Sequence, residues 1–132
     1  MKDLFKGLYS KFTGSTGTDS LYVALTGGLH NTQVPQDTDY PYTVFYLISD
    51  VPFWTFDSTF ENNLVQFNIY DDNSSVENVC DLFEKLKTLY DDAILSCDDY
   101  NNYQMKREFS DLAKSSDVWQ YSVQYRIGLE EN

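Results

Sequence analysis

The sequence predicts an α+β fold, a mostly antiparallel sheet of about four strands packed by a long central helix and short N-terminal helices. Three observations predict it. The stretches Asn63 to Tyr70 and Trp119 to Ile127 alternate their side chains between two faces with the period of a strand. Between them, Val76, Val79, Cys80, Phe83, Leu86 and Tyr90 recur at helical spacing. Hydrophobic residues make up 42% of the 132 and aromatics 17%, which is enough apolar surface for one core. A chain of this size buries roughly two-thirds of its unfolded surface, so residues 1–132 read as a single domain.

At the N-terminus Leu4, Phe5, Leu8, Tyr9 and Phe12 predict a first helix of about three turns, which Gly14-Ser15-Thr16-Gly17 ends. Asp19 or Ser20 can cap a shorter helical turn through Leu21, Val23, Ala24 and Leu25, stopped by Gly27-Gly28. Leu29 to Tyr40 reads as a polar connection. The almost unbroken apolar run Tyr42 to Ile48 predicts a strand in the middle of the sheet. Residues 50 to 62 are too long for a tight turn and unusually aromatic, and predict an extended hairpin arm.

In the next strand Asn63, Val65, Phe67 and Ile69 should meet the helices. Ser74-Ser75-Val76-Glu77 carries a capping-box pattern, and the apolar stripe behind it predicts a helix of about 19 residues, roughly 28 Å long. Two further strands, about Tyr103 to Phe109 and Val118 to Ile127, form a C-terminal hairpin around Ala113 to Asp117.

Nine basic against twenty-one acidic residues give a formal charge of −12, which argues against a surface that neutralises nucleic-acid phosphates. Disorder is disfavoured by the aromatic content. Cys80 and Cys97 form no C-x-x-C pair and read as reduced structural thiols. Charges interrupt Met1 to Lys6, so no secretory or membrane-spanning segment is expected there.

No motif calls for catalysis, a cofactor or a metal. Gly14-Ser15-Thr16-Gly17-Thr18 lacks the lysine of a phosphate loop. Asp71, Asn73, Ser75 and Glu77 alternate oxygens as a calcium loop does, but Val76 and Leu82 occupy the positions that need Gly and Glu. His30 is the single histidine and no Gly-x-Ser-x-Gly elbow accompanies it. Two cysteines and one histidine cannot complete a standard zinc site. The acidic pairs Asp91-Asp92 and Asp98-Asp99 read as solvated connections. The candidate functional residues are therefore the aromatics of the arm, Phe53, Trp54, Phe56 and Phe60, which either fold back on the core or form the centre of a protein interface.

The order of these pieces supplies a resemblance. Short N-terminal helices lead into Val34-Pro35-Gln36 and Pro41-Tyr42-Thr43-Val44-Phe45. The strand Val65-Gln66-Phe67, the long helix, and Trp119 to Arg126 follow. Together they resemble the tail-completion, or tail-terminator, proteins of long-tailed bacteriophages and prophages. The resemblance implies a structural protein that completes the tail tube and helps join tail to head, as a ring, commonly a hexamer, around the DNA channel. Its implied partners are copies of itself, the tail tube protein and the head-tail connector protein. DNA would pass through without sequence-specific binding, and no membrane is involved. The implied location is the head-tail junction of a virion, with synthesis in the bacterial host cytoplasm. Composition alone keeps alternatives open: an acidic DNA-mimic inhibitor, another prophage interaction protein, or a ligand-binding module.

Overall fold

The computed structural model describes residues 2–132. Two helical segments, α1 (Lys2–Gly14) and α2 (Leu21–Ala24), come first. The strands β1 (Gly28–Asn31), β2 (Tyr42–Trp54) and β3 (Thr59–Asp71) follow, then α3 (Glu77–Tyr90). The chain ends in β4 (Ser96–Cys97), β5 (Tyr100–Ser115) and β6 (Val118–Glu131). The strands make one sheet in the order β1-β2-β3-β6-β5-β4. β1 pairs with β2 in parallel and all other pairs are antiparallel.

This overturns the expected α+β arrangement of about four strands under a long central helix. Strand accounts for 47% of the chain and helix for 24%, so the fold is a β-rich one built on a curled, six-stranded mixed sheet. Physical reasons account for each difference. β1 has a single buried apolar residue, Leu29, in four, too little for an alternation to show. β4 is two residues long. β2 is not central: β1 flanks only Tyr42 to Phe45, and the central pair is β3 with β6.

The main helix has 14 residues, not about 19. It begins without the expected capping box: Val76 is the cap residue and makes no side-chain cap bond, while the Ser75 hydroxyl accepts from the Glu77 amide (3.2 Å) and Asn73 from the Ser75 amide (2.9 Å). It stops early because Asp92 turns to a left-handed φ of 57° and donates its amide to the Met105 carbonyl (3.0 Å), which commits the chain to the sheet. At α2, Ser20 is the cap and accepts from the Val23 amide.

One face of the sheet carries the core. Phe45, Val65, Phe67, Ile69, Val123, Tyr125 and Ile127 are buried there against Leu4, Leu8, Phe83 and Leu86 of the helices. Phe67 lies between Tyr90 (4.9 Å) and Tyr125 (5.8 Å, edge-on), and Phe83 stacks on Tyr121 at 4.1 Å. The fully buried Tyr90 hydroxyl donates to the Leu8 carbonyl (2.8 Å), which ties α3 to α1. Burial pushes the Tyr90 phenol far above its ordinary range, so the hydroxyl stays a donor. Cys80 and Cys97 are free thiols, and burial pushes Cys97 up to about 11.

The helix-free face is polar but not highly charged. Gln124 donates to Gln66 (3.0 Å), Gln66 to Asn68 (2.8 Å) and Gln120 to Ser122 (3.2 Å), while Arg126 is held by Glu108 at 3.0 Å.

Candidate interaction surface

β2 and β3 continue well past the region covered by helices and end in the four-residue loop Thr55 to Ser58. The Thr55 amide donates to the Ser58 carbonyl (2.9 Å), the Thr55 hydroxyl accepts from the Ser58 amide (3.2 Å), and the Ser58 hydroxyl donates to Glu130 (2.8 Å). The turn is thus closed by its own groups and anchored once to β6. A register shift between Leu47 and Ser49 reverses the alternation of β2 relative to β3. Beyond it, Phe53 stands opposite Phe60 and Trp54 opposite Thr59.

The bulge divides the four aromatics that the sequence groups together. Phe53 and Phe60 form a cross-strand stack, with centroids 4.8 Å apart and planes 8° from parallel. Phe60 continues edge-on to Tyr103 at 5.8 Å. Tyr103 can lie down only because residue 128 is glycine: a Cβ there would sit 2.5 Å from the Tyr103 ring. Trp54 and Phe56 are left out of this stack. Trp54 is 69% exposed and Phe56 has its entire side chain in solvent. Phe53 and Phe60 thus pack on each other and not on the core, Phe53 remaining 43% exposed, while Trp54 and Phe56 project into solvent.

The stem is acidic. Asp50 and Glu61 lie on one face near Glu131, and a hydrogen bond with Asp50, aided by partial burial and by repulsion from Asp50 and Glu131, pushes the Glu61 carboxyl up to about 7. Sequence reading missed this pair, because the two residues meet only through the shifted register.

A second feature, also missed, is an open groove of about 1160 Å³ between α1, α2 and the β1 edge. Phe5, Tyr9, Tyr22, Leu29 and Phe45 line it, and Lys6 is the one lysine or carboxylate-class charge among its described lining residues. Phe5 approaches Phe45 at 6.0 Å and Tyr22 approaches Phe12 at 5.3 Å, while Tyr9 and Tyr22 remain 50% and 44% exposed. A signal was available: the apolar stripe Leu4, Phe5, Leu8, Tyr9, Phe12 is wider than one helix face can bury. Just behind the groove, Gly27 lets the chain pass close to the 38–42 segment, since a Cβ there would lie 2.0 Å from the Asp39 carbonyl oxygen. His30, the single histidine, lines the same groove with Nε2 2.6 Å from the Gly27 carbonyl.

Among the described residues no cluster of His, Cys, Asp and Glu is arranged to hold a metal, and no helix is long and apolar enough to cross a membrane.

No protein-family model matches the chain, and no curated protein matches it. The fold is similar to that of a chain in the solved structure "Virion of native gene transfer agent (GTA) particle". The superposition has a TM-score of 0.76 at 11% sequence identity, and covers 96% of this chain and 94% of that one. At that identity the likeness is one of fold.

Proposed function

We propose that this protein is a non-catalytic structural component of a phage-like virion, one that completes or terminates the tail tube and helps join tail to head. The observation that carries the reading is the shared fold over nearly the whole of both chains with a subunit of the gene transfer agent virion. The order of sequence elements that resembles tail-completion proteins supports the narrower assignment.

The chemistry is consistent with that job. A subunit with a net charge of −12, on whose helix-free face Arg126 is already paired with Glu108, repels nucleic-acid phosphates overall. DNA would therefore slide past it without sequence-specific binding. The exposed aromatic hairpin gives it a protein-binding surface. In this reading the subunits form a ring, a hexamer in the virion, at the head-tail junction. The ring contacts the tail tube protein on one side and the head-tail connector protein on the other, after synthesis in the bacterial cytoplasm.

Deleting the gene from its phage or prophage and imaging induced lysates by electron microscopy tests the proposal. The expected result is DNA-filled heads separate from unattached or overlong tails. Intact joined particles would overturn it and leave the acidic DNA-mimic reading in front.

A further inference from the structure

We infer that the tip of the β2–β3 hairpin inserts into the α1–β1 groove of a second copy of this chain, so that subunits associate head to tail. The inference rests on the structural role above for its setting, but the contact itself is argued from this molecule.

The two surfaces match in chemistry. The tip presents Trp54 and Phe56 in solvent, with Asp57 as the one charge of the Thr55 to Ser58 loop. The groove presents Phe5, Tyr9 and Tyr22 around the exposed ammonium of Lys6, over a floor closed by the buried Phe45. Aromatic side chains meet aromatic walls, and an acidic tip, with Asp57 in its loop and Glu130 and Glu131 beside it, meets the Lys6 ammonium in a protein otherwise set to repel itself.

The two surfaces cannot meet within one molecule. Phe45 and Trp54 are nine residues apart along the same strand, roughly 30 Å at 3.3 Å per residue, so the tip points away from its own groove. A tip that fits a groove elsewhere on the same chain makes a heterologous contact, and repetition of such a contact closes a ring or extends a filament.

Size sets the strength of the contact. Two buried aromatic side chains cover on the order of 300–500 Å², less than the roughly 800 Å² per partner of a stable standard interface. One contact is weak. A closed ring, in which each subunit uses its tip and its groove at once, is more stable because releasing a subunit from it requires breaking two contacts.

The test uses the full-length protein with the photoreactive residue p-benzoylphenylalanine in place of Phe56, irradiated at high concentration, with cross-linked peptides identified by mass spectrometry. Cross-links between subunits should fall on α1, Tyr22 and residues 28–35. In parallel, sedimentation velocity compares Lys6→Glu, Asp57→Lys and the double variant. Each single change should weaken self-association by about tenfold or more, and the double should restore it to within about threefold of the parent. Cross-links confined to another surface, no intersubunit cross-links, or single variants that associate normally would overturn the inference. The virion role is read independently by the gene deletion. Joined particles without this protein would sink that role and leave the contact standing, whereas cross-links elsewhere would sink the contact and leave the role standing.

Discussion

Phe56 has its whole side chain in solvent and Trp54 is 69% exposed, so neither contributes much packing to its own subunit. Phe56→Ala and Trp54→Ala should therefore leave chemical denaturation of the isolated protein within about 0.5 kcal/mol of the parent, as for other surface changes. Both should abolish self-association. A loss of several kcal/mol would show that these rings belong to the core. Phe60 is different: it holds Phe53 on one side and Tyr103 on the other. Sequence put all four aromatics on one arm but could not divide them. The division follows from one extra residue in β2, and Ile48, which occupies the shift, simply continues the apolar run Val44 to Leu47.

At the scale of elements, the hairpin stem should respond to pH. Glu61 titrates at about 7 in the folded hairpin against an ordinary 4.5, so the folded form holds a proton that the unfolded form has already released. Its contribution to stability is complete below about 4.5 and is lost as pH rises through about 7. Amide exchange of residues 50–61, corrected for intrinsic rates, should be slower at pH 5.5 than at pH 8. Glu61→Gln should remove most of that difference, and an unchanged pH profile in that variant would assign it to another group.

Elements also mark what sequence could deliver. β3, β6, α1 and the Ser20 cap were legible because each follows from a local period or a single side-chain bond. The end of α3 was not, since Leu89 and Ile94 keep the apolar pattern going while the tertiary bond from Asp92 to Met105 ends the helix. β1 and β4, four and two residues long, are too short to carry a pattern of their own and are defined only by pairing with β2 and β5.

For the whole molecule, charge opposes assembly. Each subunit carries −12, and copies approaching one another repel unless salt intervenes. Since the screening length falls from ~10 Å at 0.1 M to ~3 Å at 1 M salt, the weight-average sedimentation coefficient of concentrated protein should rise across that range. A fall would mean that attraction between specific opposite charges outweighs the overall repulsion.

The seating of α1 has a consequence in time. Its Gly7 lies against Ser96 and Cys97, and its Leu8 carbonyl receives the hydroxyl of Tyr90. That helix thus has no complete place to dock until the segment around residue 97 has been made. A groove walled by that helix stays unfinished until the chain has grown past that point, so the hairpin tip of a second copy would find no seat on a nascent chain before then.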